Sequence, residues 1–212
     1  GLWSDFMEKS NIIKVRRFFE IALVTRAFLI ASPKPIALLP IGPQGCGKST
    51  LAAYLARRFY DFEIISQDEI RKKMFSEFYP ELQDAGDEKM YEVLRPKEPE
   101  IRSKAIEMLK NSFKSVVYID RMNLTATSRA DFILPDRFNV AIFFRLPLEE
   151  ILNRHKSRPL KALAIPDYIV ISCFRRIEFP KQGEFDAIVI IEQIRRWSRE
   201  GIAKSEDKDS LK

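Results

Sequence analysis

Short runs of apolar residues alternate along this chain with stretches in which apolar residues recur every third or fourth position. The runs Ile36–Ile41, Phe62–Ser66, Val116–Asp120, Asn139–Arg145 and Ala187–Ile191 are apolar nearly throughout, the pattern of strands covered on both faces. Between them the spacing predicts helices over Leu51–Phe59, from Asp68 onward, and over Pro99–Phe113, Thr125–Phe132, Leu146–Ser157, Pro166–Arg176 and Glu192–Arg199. Upstream, Phe6, Ile12, Val15, Phe18, Phe19, Ala22 and Phe28 predict one amphipathic helix over Asp5–Ala31, ended by Ser32-Pro-Lys-Pro35. Glu77–Lys97, with Pro80, Gly86, Pro96 and several acids, reads as an irregular, mobile excursion. Ser205–Lys212 is a polar tail expected to fray. Strand and helix in alternation predict an α/β fold: a parallel sheet of about five strands sandwiched by helices, its ligands gathered at the carboxyl ends of the strands. The expected organisation is an N-terminal helix and linker over residues 1–34, one domain over 35–200 and the tail over 201–212.

Bulk properties narrow the classes. With 212 residues the chain can bury a core without disulfides or structural metals. A net charge of +6 suits a polyanionic partner without naming one. Cys46 and Cys173 lack metal-ligand spacing and read as free thiols of a reducing, intracellular compartment, cytoplasm or nucleus. Phe18–Ala31 is interrupted by Glu20 and Arg26, so neither a membrane span nor a secretory signal is expected. The opening Gly1-Leu2, without an initiator methionine, points to a longer parent polypeptide with neighbouring domains.

The chemistry is concentrated at strand ends. Gly42, Pro43, Gln44, Gly45, Cys46, Gly47, Lys48, Ser49 and Thr50 satisfy the phosphate-loop pattern G-x-x-x-x-G-K-[ST], with a strand before and a helix after. Backbone N–H groups of such a loop wrap the α- and β-phosphates of a nucleoside triphosphate, Lys48 reaches the β- and γ-phosphates, and the Ser49 hydroxyl joins the shell of Mg²⁺. The expected class is therefore a P-loop NTPase-like fold that uses ATP or GTP with Mg²⁺. Asp68, after the second strand, either accepts the proton of an acceptor hydroxyl, with Arg71 holding an acceptor phosphate, or simply caps its helix. Asp120, after the third, is a water-mediated Mg²⁺ ligand, an acceptor-site residue or a helix cap, and Asn123 shares that ambiguity. Arg154 and Arg158, one helical turn apart ahead of Pro159, either close over the donor as a lid or lie on a solvated face.

From about Ile36 to Pro180 the chain resembles the polynucleotide 5′-hydroxyl kinases of phage end healing, bacterial RNA repair and tRNA ligases. Ser66-Gln-Asp-Glu-Ile-Arg71 is similar to their D-x-x-R, which implies a general base at Asp68 and an acceptor-phosphate contact at Arg71. Tyr118-Ile-Asp-Arg-Met-Asn-Leu-Thr125 resembles their D-x-x-N-L, followed by an arginine at Arg129, which implies acceptor-side roles for Asp120, Asn123 and Arg129. Pro147-Leu-Glu-Glu, Arg154 and Arg158 are similar to the lid helix, whose arginines contact the donor phosphates, so Lys48, Asp68 and Arg158 are the candidate catalytic set. Ile165-Pro-Asp167 and Phe179-Pro180 also fit the family. Arg121 and Met122 depart from the small residues usual after the aspartate, and Glu77–Lys97 has no counterpart. The implied reaction is transfer of the γ-phosphate to the 5′-hydroxyl end of a nucleic acid, RNA favoured, in a protein whose ligase or phosphatase domains lie elsewhere. Motifs for phosphatase, ligase and cyclic phosphodiesterase steps are absent from the sequence. The competing readings are a small-molecule or nucleotide-sugar kinase of the zeta-toxin type and a non-catalytic nucleotide-binding module that grips RNA.

Overall fold

Ile36–Ile41 is buried at every position, as a run without a polar face must be, and forms the strand on which the domain is built. The computed structural model describes residues 12–157 and 165–192. Within them β1 (Ile12–Val15), β2 (Ile36–Ile41), β3 (Phe62–Ser66), β4 (Val116–Asp120), β5 (Phe138–Arg145) and β6 (Ala187–Glu192) make one six-stranded sheet, ordered β1-β6-β5-β2-β4-β3. All of its pairings are parallel. The helices are α1 (Phe18–Ala31), α2 (Lys48–Ala56), α3 (Gln67–Phe78), α4 (Asp87–Leu94), α5 (Glu98–Asn111), α6 (Ala126–Arg129), α7 (Leu148–Lys156) and α8 (Asp167–Arg175).

The alternation of side chains along each strand divides the core into two layers. Ile36 and Leu38 of β2 join Tyr118, Val140 and Ile142 against α1 and α2, through Ile21, Phe28, Leu51 and Leu55. Ala37, Leu39 and Ile41 join Val117, Ile119 and Ala141 against α5, through Ala105 and Leu109. Each large apolar side chain so buried contributes about 1.5 to 3 kcal/mol of transfer free energy.

Two expectations are corrected. Ile12–Val15, which helical spacing placed in a helix, is an edge strand paired with β6 from Ile12↔Ile188 to Val15↔Ile191. Its β-branched residues gain more from extending an open parallel edge than from a helix, and the helical stripe belongs only to α1. Glu77–Lys97 is not irregular: it holds a 3₁₀ turn at Pro80–Leu82, α4 and a second 3₁₀ turn at Arg95–Lys97. Met90 and Leu94, one turn apart, pack with Met74, Phe75 and Ile101 in a third apolar cluster. The residues that read as breakers serve as punctuation: Gly86 precedes α4 at φ 86°, and Pro80 and Pro96 open the two 3₁₀ turns. The helix expected at Glu192–Arg199 begins with the last residue of β6 and otherwise lies outside the described residues, as do the start of the N-terminal helix, Arg158 and the tail.

Strand order fixes where a ligand can sit. From β2 the chain runs to β3 and back to β4 on one side, then crosses to β5 on the other. The carboxyl end of β2 is thus a topological switch point, where parallel sheets open a crevice.

Candidate active site

The phosphate loop leaves β2 at that switch point. Gly45 and Gly47 take left-handed φ of 80° and 109°, which glycine adopts without strain. A Cβ on Gly42 would lie 2.6 Å from the Cys46 Sγ, so the loop can close on itself only with glycine there. No side chain caps α2, whose first N–H groups therefore face the loop's interior as an anion site. The buried Tyr118 hydroxyl holds this helix end by donating to the Lys48 carbonyl, 2.7 Å away. The Lys48 ammonium donates to the carbonyls of Gly42 at 2.8 Å and Pro43 at 2.7 Å, so phosphate oxygens at the loop compete with two carbonyls for it. Burial pushes the Cys46 thiol up against the pull of Lys48, which keeps it protonated and inert.

Asp120 stands at the end of β4, with its Oδ2 accepting from the Ser49 hydroxyl at 2.9 Å. Burial raises its pKa and the nearby Asp68 adds to the rise, while Ser49 and Lys48 pull it down. A hydroxyl and a carboxylate oxygen side by side are hard donors of the kind Mg²⁺ takes when phosphates and water supply the rest.

Asn123 explains how β2 and β4 part to admit the loop. Their pairing ends at Leu38↔Tyr118. The Ile36 N–H bonds to Ser115 on the β4 side, and backbone direction alternates, so Pro40 faces β4 without an N–H to offer. Asn123 fills that gap at the left-handed φ of 51°, its Nδ2 donating to the Pro40 carbonyl at 2.8 Å and to Ile119 at 3.3 Å. Its Oδ1 accepts from Arg121. With both ends of its amide engaged inside the protein, Asn123 shapes the crevice and does not face it.

Asp68 lies in the first turn of α3, which Ser66 caps by accepting from the Glu69 N–H. Helix capping therefore does not account for Asp68. The register pairs Ser66 with Asp120, so Asp68 and Asp120 follow neighbouring strand ends. Its Oδ1 accepts from Arg71 and from the Tyr91 hydroxyl at 2.8 Å. Arg71 is itself buried and held as a fork by Glu98, with both bonds at 2.8 Å, and its guanidinium lies 4.7 Å from the Tyr91 ring centre. In this arrangement Arg71 orients Asp68 and has little left for an acceptor phosphate. Tyr91 was missed in the sequence because Glu77–Lys97 read as irregular, and Glu98 lies between that segment and the helix expected from Pro99; the signal that could have found the helix of Tyr91 is the Met90–Leu94 spacing.

Arg154 of α7 reaches over the loop and donates to the Cys46 carbonyl at 3.0 Å, while Glu150 holds its Nε side at 3.2 Å. Next to it, the His155 ring bonds the Ile165 carbonyl. A Cβ on Gly45 would come within 3.9 Å of the His155 Cα, so α7 covers the loop closely. The solvated-face alternative does not describe Arg154. Arg129, by contrast, is 1% exposed. It is forked onto Glu184 at 2.7 and 3.0 Å and bonded to the carbonyls of Asn123, Leu124 and Glu178. It ties the loop after β4 to the segment before β6 and cannot reach a substrate.

A phosphate loop at the switch point of a parallel sheet, covered by a helix carrying an arginine, defines a P-loop kinase-like α/β domain. The family model described as AAA domain matches residues 38–166, well over half of the chain, and the chain belongs to that family. No curated protein matches the sequence. A solved chain from the Pnkp1/Rnl/Hen1 RNA repair complex superposes with a TM-score of 0.50 at 21% identity, over 68% of this chain and 44% of that one. This chain therefore spans less than half the length of that relative. A gluconokinase from Sinorhizobium meliloti 1021 is similar at 15% identity and TM-score 0.49, over 85% and 98% of the two chains. A shikimate kinase from Acinetobacter baumannii in complex with shikimate is similar at 20% identity and TM-score 0.48, over 89% and 99%. At these identities the likeness is one of fold. Among the described residues no helix is long and apolar enough to cross a membrane.

Proposed function

We propose that the protein is a nucleoside-triphosphate-dependent polynucleotide 5′-hydroxyl kinase, acting in end healing as one domain of a larger RNA-repair or ligase protein in a reducing, intracellular compartment. The observation that carries this reading is the convergence on one rim of the phosphate loop, Asp120 on Ser49, and Asp68 at the adjacent strand end. The loop N–H groups and Lys48 bind the β- and γ-phosphates of ATP or GTP. Ser49 and Asp120 would hold Mg²⁺, which when bound neutralises charge on the phosphates. Arg154 on α7, with Arg158 beyond the described residues, closes over the donor. Asp68 Oδ2, left without a partner among the described residues while Arg71 and Tyr91 fix Oδ1, takes the proton of the 5′-hydroxyl. That hydroxyl oxygen bonds to the γ-phosphorus as the bond to the β-phosphate oxygen breaks, leaving a nucleoside diphosphate. The D-x-x-R resemblance and the net charge of +6 favour a nucleic acid acceptor.

A small-molecule kinase is the second reading. One observation favours it: the Arg71 fork is already filled by Glu98, and Tyr91 from α4 narrows the acceptor side. Asp68→Asn tests the shared mechanism. The variant is expected to keep the dissociation constant for the triphosphate within about twofold while turnover falls about a hundredfold to ten-thousandfold. Turnover within about threefold of wild type would remove Asp68 from the reaction.

A further inference from the structure

Several guanidinium groups on the carboxyl rim of the sheet have a carboxylate. Arg71 has Glu98 and Asp68, Arg129 has Glu184, and Arg154 has Glu150. Arg121 has none among the described residues. Its Nε donates to the Gln67 Oε1 at 3.0 Å, and its Nη1 to the Asn123 Oδ1 at 2.8 Å and the Ser128 carbonyl at 3.0 Å, all neutral acceptors. Nη2 has no partner among the described residues and is not one of their buried unpartnered atoms. The ring of Phe132 lies 4.1 Å from the guanidinium carbon and fixes its plane. Arg102 also faces that ring, 5.6 Å away, but its charge is matched by Asp131 at 2.8 Å. Burial, with Arg102 adding to it and Asp131 opposing, pushes the Arg121 pKa down to about 10, which still leaves the group charged at neutral pH. Arg137 is also held by carbonyls alone, those of Ile36, Lys114 and Ser112, but at the amino ends of the strands, away from the site.

A partly buried cation fixed by neutral partners, with one edge unpartnered among the described residues, is a preorganised anion site. Its place identifies the anion. Arg121 follows Asp120 directly and bonds Gln67, the neighbour of Asp68, so it lies on the acceptor side of the rim. We propose that Arg121 is the specificity-determining residue of the acceptor site and binds the phosphate on the 3′ side of the 5′-terminal nucleoside. This assignment rests on the polynucleotide reading and deepens it. It places the phosphate contact on a residue that departs from the family pattern, since Arg71 is held by carboxylates of its own chain.

The test compares uridine with uridine 3′-phosphate as acceptors for the wild type and Arg121→Gln. A charge-assisted hydrogen bond predicts that the wild-type kcat/KM ratio favours the 3′-phosphate by roughly tenfold to a hundredfold. In Arg121→Gln the ratio is expected to fall to near one; a ratio kept at the wild-type value overturns the assignment and leaves the kinase reading standing. Should neither acceptor be phosphorylated by the wild type, calorimetry decides on Arg121, and the kinase reading is decided separately with 5′-hydroxyl oligonucleotides. Uridine 3′-phosphate binding more tightly than uridine, with the difference lost in Arg121→Gln, upholds the anion site, and equal binding overturns it. Because Arg121 also supports Asn123, the glutamine variant is checked for cooperative melting. If it does not fold, ¹⁵N-arginine spectra of the wild type, assigned with Arg121→Lys, take its place: a side-chain shift at Arg121 with uridine 3′-phosphate and none with uridine upholds the site, and no shift overturns it.

Discussion

Asp120 joins two demands that pull in opposite directions, since burial favours its neutral form and the Mg²⁺ proposed beside Ser49 would need its charge. Its pKa is raised in the folded protein, so over the window just above the ordinary carboxylate range the folded state holds a proton that the unfolded state has released. Stability from this group is full below that window and declines as pH rises through it. Asp120→Asn should therefore lose that decline: denaturant unfolding at roughly pH 4 to 7 is expected to show the variant gaining on the wild type as pH rises. A wild type that gains on the variant over the same range would contradict the assignment. The phosphate loop was fully legible in the sequence, because its glycines and Lys48 are demanded by backbone shape and charge at fixed spacing. The partners of Asp68 were not. Tyr91 reaches it from 23 positions downstream, as Glu98 reaches Arg71 from 27, and nothing in the local pattern announces such a contact.

Among the elements, α7 carries the sharpest expectation. Arg154 lies over the loop with a planar fork that matches phosphoryl oxygens better than a point charge does. Arg154→Ala is expected to slow turnover by about tenfold or more, with lysine restoring little of it; alanine turning over at the wild-type rate would return this arginine to a merely structural contact with Cys46. Five strands and most helices could be read from periodicity because each buries a regular face. The sixth strand, β1, could not, since four residues satisfy a helical and an extended pattern alike and the choice was made by the open edge of β6. Helix α4 was hidden for a related reason: Gly86, Pro80 and Pro96 look like breakers until packing shows them at element boundaries.

Across the molecule, the carboxyl rim is held together by buried polar ties between segments distant in sequence. Arg129 and Glu184 join the loop after β4 to the approach to β6. Arg129→Ala leaves Glu184, whose side chain is 17% exposed, without its cation, and is expected to cost about 3 to 5 kcal/mol of unfolding free energy. A loss below about 1 kcal/mol would show that the tie is solvated. Asn123 and Arg129 were read from the sequence as substrate contacts because their motif pattern matched, whereas the fold turns both inward to frame the crevice. The claim on which the rest depends is the reaction itself. Label transfer from γ-labelled ATP and GTP should be measured on matched 5′-hydroxyl RNA and DNA oligonucleotides, nucleosides and sugars, with Lys48→Ala as the loop control. Mg²⁺-dependent labelling of a 5′-hydroxyl oligonucleotide is expected, preferred over nucleosides and sugars, weakening as salt rises and absent in Lys48→Ala. Failure of both RNA and DNA oligonucleotides with either triphosphate, alongside phosphorylation of a nucleoside or sugar, would contradict it.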